Sequence, residues 1–417
     1  MLPVVVLLCV IGLFSVNVPW FDDFDPFPDF LNHWIKAKGA TEHLGLILKP
    51  NNEHRMVFGK LATLLIYGIT STLNFTYLHF IGFLFTLGTF VLFYKIFKEN
   101  GLTTKEFVPI SWFLFQWQYQ MVFLWAICSL QHQPVVFFLC LSMYLLANTT
   151  STIQFAWAIF FGFCANFSMS NGIFVWAGGA VILVYQRAFF RLPIWLIMGA
   201  LAISAYFYGL TTMGNEQSFA YLQKHPDETF FGFFAFLGGL FDFFPDRPID
   251  FRVKLPIVGG MIMTVLVLVW LWQTGKNWGT DFSTKKRLSI SHAHKNKNTL
   301  TPFLLGVLAF LLSNAAVIAL LRPRFGFLVM VVSNYKLYPA LYMMVVYSAF
   351  LGLVTTKWRT LVWKIGLIIS VGIALVSTLH YGPMMMERRK IFISMPLINN
   401  ITALGWGIYL TRQRQNM

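Results

Sequence analysis

Asp22 and Asp23 stand side by side in the stretch Pro19-Trp20-Phe21-Asp22-Asp23-Phe24. Neighbouring carboxylates raise one another's proton affinity, so one of such a pair can serve as a base near neutral pH. A second group, Glu53-His54-Arg55, opens a helical stretch, where backbone N–H groups favour anions and Arg55 suits a two-pronged grip on phosphate. The same triplet also fits a capped helix with a solvated charge cluster. A third group, Arg322, Arg324, Tyr335 and Lys336, lies in a late connection that is otherwise apolar. A base and several cations are what a transfer from a phosphate needs. The carboxylate takes the proton of an acceptor hydroxyl, and the cations hold the charge that develops on the leaving phosphate. Asp22, Asp23 and His54 can also host a divalent ion such as Mg or Mn, which their spacing does not require.

These groups must be positioned by a membrane-embedded body. Hydrophobic residues make up 57% of the 417 and charged residues 11%, where a soluble domain carries roughly a quarter charged. Apolar runs of about twenty residues recur, long and continuous rather than alternating, which points to helices and away from a barrel. The expectation is an all-α polytopic membrane protein, one transmembrane domain over 1–417 with roughly 11–12 spans. Leu2–Val18 is the first span, retained rather than cleaved, because no basic region precedes it and no small-residue cleavage site follows. Asp22 and Asp23 therefore sit at a bilayer rim. Further spans are expected over Leu78–Phe97, Pro109–Cys128, Pro134–Leu146, Phe155–Phe167, Gly172–Tyr185, Leu192–Leu210, Leu255–Trp272, Pro302–Leu321, Tyr338–Leu353 and Leu361–Leu379. A weaker one follows over Ile391–Leu410.

Lys and Arg gather in short loops, which accounts for the net charge of +15 without nucleic acid. Keeping the basic loop 274–301 in the cytoplasm makes the N-terminus cytoplasmic and leaves Phe230–Phe244 interfacial or re-entrant. Three outer loops result, 21–77, 211–254 and 322–337. The first contains an amphipathic interfacial helix with Phe27, Phe30, Leu31, Trp34 and Ile35 on one face. None of the 16 acidic residues falls in the middle of a span, so an ion-coupled transporter finds no mid-membrane carboxylate. Cys9, Cys128, Cys140 and Cys164 show neither zinc nor disulfide spacing. Two polar runs, Gln116 to Gln120 with Gln131-His132-Gln133, and Asn166 to Asn171, either line a sugar pocket or satisfy one another.

The arrangement resembles the GT-C superfamily of membrane glycosyltransferases, in particular bacterial members that use polyprenyl-phosphate sugars. The resemblance rests on Trp20-Phe21-Asp22-Asp23 after the first span, on Asn52-Glu53-His54-Arg55 before the second, and on Arg322-Pro323-Arg324 followed by Ser333-Asn334-Tyr335. Asn334 departs from the usual arginine, with Lys336 nearby to compensate. The resemblance implies sugar transfer from a lipid-linked donor to a glycan, lipid or protein acceptor on the periplasmic side of a bacterial inner membrane. Asp23 or Asp22 would be the base, and Arg55, Arg322 and Arg324 would hold the donor phosphate. A lipid or polysaccharide flippase is the competing expectation. A membrane acyltransferase, which needs a catalytic histidine, has only His79 and His132 to offer.

Overall fold

A computed structural model describes residues 1–51, 54–210, 215–285 and 298–394. Glu53, most of the basic loop and the expected last span, Ile391–Leu410, lie outside or largely outside those residues. The described chain is all-helical, and six helices are long and apolar enough to cross a membrane: Phe75–Glu99, Ala126–Ala147, Ile249–Trp278, Leu300–Leu321, Ser333–Leu353 and Thr356–Phe392. Shorter apolar helices, including Leu2–Phe14 and Leu192–Phe207, pack around them. The protein is a multi-pass membrane protein. One large core of Phe, Leu, Val and Trp runs through the bundle, and a smaller one ties the first loop to the start of the Ala126–Ala147 helix.

Several span boundaries differ from expectation. Pro109–Cys128 is not a span. The helix that begins at Thr104 stops at Leu114, a short turn and the Gln120–Leu124 helix follow, and a new helix runs unbroken from Ala126 to Ala147 with Pro134 inside it. The break has a polar cause: the Tyr119 hydroxyl donates to the Phe113 and Leu114 carbonyls, satisfying a helix end that has lost its own partners. The Gln-rich run is accordingly buried, with Gln116, Gln118 and Gln133 at most 1% exposed. Likewise Leu361–Leu379 does not end before Pro383; one helix runs from Thr356 to Ser394. Tyr381, Met385 and Arg388 beyond the expected end all engage the bundle. In the first loop, Phe27, Phe30 and Leu31 are buried inside the protein, where an interfacial helix would turn them to lipid, and Ile35 is exposed. The Pro226–Leu237 helix has 12 residues, roughly 18 Å at 1.5 Å per residue, too short for a hydrocarbon layer of about 30 Å.

Glycine sets how closely the site-bearing segments meet. At Gly238, which ends the Pro226–Leu237 helix, an added Cβ would lie 1.9 Å from the Pro256 carbonyl oxygen. At Gly260 it would lie 2.0 Å from that of Phe234. Only bare backbone fits this crossing, and it delivers the next residues, Gly239–Phe241 and Asp242, against the start of the Lys254–Lys285 helix.

Candidate functional site

At one end of the bundle a cavity of about 590 Å³ opens between the connection that follows Leu321, the Gln120–Leu124 helix and the far end of the Thr356–Ser394 helix. Its size is that of a small-molecule site. Arg252, Arg322, Gln120, Asn334, Tyr335 and Tyr381 give it polar walls, and Phe325, Leu328, Val329 and Met384 give it apolar ones. Gln120 is 6% exposed, and its Oε1 has no hydrogen-bond partner among the described residues.

The charge behind this wall is organised by Asp242, fully buried. Its Oδ1 accepts from Arg252 Nε at 2.8 Å, and its Oδ2 accepts from Arg252 Nη2 at 2.5 Å and Lys336 Nζ at 2.7 Å. Lys336 also donates to the Tyr381 hydroxyl at 2.5 Å. Burial pushes the Asp242 carboxyl up, but the bonds from Arg252 and Lys336 outweigh it and hold the group below the usual carboxylate range. Two cations against one carboxylate leave an excess positive charge behind the wall, and Arg322 lines the cavity itself. An anion is the ligand such a pocket favours.

Asp22 and Asp23 divide their surroundings. Asp22 is exposed and Asp23 is 2% exposed. Asp23 Oδ2 accepts from the Trp20 backbone N–H at 3.0 Å, and Oδ1 accepts from that of Ile127 at 2.8 Å. It thereby caps the Ala126–Ala147 helix from a site 104 residues away, where the helix dipole favours a negative group. Arg388 approaches from the last helix, donating to the Leu124 carbonyl at 2.9 Å with its guanidinium 4.5 Å from the Trp20 ring centre. Trp125, which lines the cavity, donates from Nε1 to the Trp20 carbonyl and packs on the Trp20 ring. The acidic turn and the cationic cavity thus share a wall of Trp125. Phe21 takes a φ of 44°, a left-handed conformation that an L side chain adopts at a cost of about 1–2 kcal/mol. The two bonds to Asp23 hold that turn in place.

Burial raises the Asp23 carboxyl to about 7, against the opposing pull of the Trp20 and Ile127 N–H groups and of Arg388. The folded state therefore binds an extra proton between about pH 4 and 7, and stability is lost as pH rises through that window. Between pH 6 and pH 8 the loss amounts to about 1.4 kcal/mol. Thermal unfolding of the detergent-solubilised protein is expected to show this slope, and Asp23→Asn to remove it. An unchanged slope in the variant would assign the titration elsewhere.

The remaining expected residues separate. Arg55 is buried and committed to carbonyls: Nε donates to Tyr206 O at 2.7 Å, and the terminal nitrogens donate to Leu48 O and Tyr208 O. It stitches the first loop to the end of the Leu192–Phe207 helix rather than facing the cavity. Lys336 is likewise held inside by Asp242. Arg322 lines the cavity, with Arg324 beside it over the same Phe325 ring at 4.5 Å. Tyr335 lines the cavity and meets the His132 ring at 5.8 Å. His54 lies within electrostatic reach of His132. Among the described residues no three His, Cys, Asp or Glu side chains converge as metal ligands, and both Asp23 oxygens already accept backbone N–H groups. Asp22, Asp23 and His54 do not form a fitted divalent-ion site. His79 bonds to Ser15 Oγ at 2.9 Å and His132 to the Tyr338 hydroxyl at 2.8 Å.

Sequence reasoning passed over Asp242, Arg252, Tyr381 and Arg388. Asp242 had a signal, a lone acid inside an apolar piece flanked by Gly238 and Gly239, but its cationic partners come from 10 and 94 residues away. Fold and site together define a multi-pass helical membrane protein with a cationic, partly apolar cavity at one end of its bundle. No protein-family model matches the chain, and neither a curated protein nor a solved structure gives a match.

Proposed function

We propose that the protein is an integral-membrane glycosyltransferase of GT-C type, moving a hexosyl or pentosyl group from a polyprenyl-phosphate-linked donor to a glycan, lipid or protein acceptor. In this reading the cavity end of the bundle faces the periplasm of a bacterial inner membrane and the N-terminus is cytoplasmic. The observation that carries it is the cavity, where Arg322 and Arg252 stand beside an apolar wall. A lipid phosphate presents those two chemistries together, an anion and a hydrocarbon chain. A fissure lined by Phe241, Phe243, Leu255, Ile262, Met343 and Ile369 lies on the other side of Asp242. It adds apolar surface for such a chain. Arg322 takes the donor phosphate. Asp22, exposed on the strained turn, takes the acceptor proton, and Asp23 positions that turn.

A flippase that binds the same lipid without bond chemistry is the second reading. The sealed position of Asp23 favours it, since only one carboxylate of the pair stands open. The deciding measurement uses purified protein in nanodiscs with undecaprenyl phosphate. Arg322→Gln is expected to weaken binding roughly 10- to 150-fold, the worth of a charge-assisted hydrogen bond. Unaltered binding in this variant removes the cavity from the donor site. Binding without any transfer from sugar-bearing lipids favours the flippase.

A further inference from the structure

Behind Tyr335 lies a second polar group that neither the phosphate cavity nor the acidic turn uses. The Tyr338 hydroxyl sits between His132 Nδ1 at 2.8 Å and the Asn171 amide, whose Nδ2 is 2.6 Å away. Asn171 Nδ2 also reaches Asn314 Oδ1 at 3.3 Å. These side chains come from four separate segments and are 1–8% exposed. Their hydrogen bonding is incomplete: Asn171 Oδ1 and Asn314 Nδ2 are buried with no partner among the described residues. A buried amide atom left without a partner destabilises the fold, so such a group calls for a ligand or a role. Phe236 adds an aromatic face, its ring stacked with Tyr338 at 6.1 Å.

We propose that His132, Asn171, Asn314 and Tyr338 form a binding subsite for an uncharged polyhydroxyl ring, a neutral sugar. Amides, a phenol and an imidazole each offer donors or acceptors, and each sugar hydroxyl is both. The orphaned donor, Asn314 Nδ2, and acceptor, Asn171 Oδ1, match that dual character. Among the described residues no carboxylate, ammonium or guanidinium takes part in this hydrogen-bond network. Lys336, two residues before Tyr338, is already paired with Asp242. A uronic acid or amino sugar would have to bury its charge unpaired, which is costly. Asn314 lies eight residues before Arg322 on the same helix, roughly 12 Å along its axis. One glycosyl phosphate, with the side chains that grip it, covers that gap. The proposal rests on the reading of the chain as one that handles sugar-bearing lipid, and adds the class of sugar.

The test uses the full chain in nanodiscs and three probes: undecaprenyl phosphate, its glucosyl derivative and its glucuronosyl derivative. The glucosyl lipid is expected to bind at least tenfold more tightly than the bare lipid phosphate, and the glucuronosyl lipid to show no such gain. Asn314→Leu is expected to remove the gain while leaving bare-lipid affinity and the unfolding temperature intact or raised, because it removes the buried, unpartnered Asn314 Nδ2 at the cost of one long bond at 3.3 Å, while Asn171 Nδ2 keeps its bond to the Tyr338 hydroxyl. A network that is merely structural would instead lose thermal stability in this variant. Equal affinity for glucosyl and bare lipid, an equal gain for the glucuronosyl lipid, or a gain that survives Asn314→Leu overturns the proposal. If the bare lipid itself does not bind, the donor-phosphate reading fails separately. Stabilisation by methyl glucoside, mannoside or galactoside then decides the subsite, supporting it where at least one raises the unfolding temperature of the wild type but not of Asn314→Leu, and overturning it where none does.

Discussion

Asp242→Asn is expected to destabilise the protein by about 3–5 kcal/mol. The substitution leaves the side chain almost unchanged in shape and removes only its charge. Arg252 and Lys336, whose side chains are 13% and 1% exposed, would then face one another without a counter-charge in a region shielded from water. Such an uncompensated pair is far worse than no ions at all, because the cost of removing them from water is no longer offset. Combining Asp242→Asn with Lys336→Met should therefore recover much of the loss, since one of the stranded cations disappears with its partner. Thermal and denaturant unfolding of the three proteins in one detergent measure this. A single variant within about 1 kcal/mol of wild type, or a double variant worse than the single, would show that the three groups are not coupled. The acid limb follows from the same bonds. Asp242 is held below its ordinary range, so its contribution is present at neutral pH. It is lost only as pH falls below about 4 towards the lower folded value. This is opposite in direction to the loss that Asp23 produces as pH rises.

The second large effect concerns chemistry. Asp22→Asn is expected to lower sugar transfer roughly 10²- to 10⁴-fold, the range over which a positioned base contributes. Binding of the donor lipid and the unfolding temperature should barely change. Asp22 is exposed and Asp23 is not. Removing the Asp22 charge therefore breaks no buried bond, and surface substitutions of this kind usually stay within about 0.5 kcal/mol. Asp23→Asn is a poorer probe of catalysis, because an amide nitrogen cannot accept the Trp20 N–H that Asp23 Oδ2 now accepts. Turnover with a polyprenyl-phosphate sugar and its acceptor, alongside lipid binding, separates the outcomes. Full turnover in Asp22→Asn would take the base role away from the acidic turn. Loss of turnover together with lipid binding would mean that the charge serves the pocket rather than the proton transfer.

Hydropathy alone was enough to read the membrane class, because every twenty-residue apolar run carries that information in its own composition. The acidic pair after the first segment and the arginines after Leu321 were also legible, since each group is contiguous in the chain. What could not be read is which member of each group faces a cavity. Arg55 and Arg322 look equivalent as letters, yet one is bonded to three backbone carbonyls and the other lines the large cavity. Lys336 resembles a spare cation until Asp242 arrives beside it from 94 residues away. Helix boundaries followed the same division. The last clear apolar run ends at Leu379, but the helix continues to Ser394, where Tyr381 and Arg388 gain partners in the packed bundle. The sequence by itself determined that this chain enters a membrane and keeps its acids out of the middle of it. Only the tertiary structure decided that Asp23 caps a distant helix, that Asp242 gathers two cations and that Arg322 lines the cavity. Partition into lipid depends on local composition, whereas pairing of buried charges depends on how closely helices approach, here through bare glycine backbone at Gly238 and Gly260.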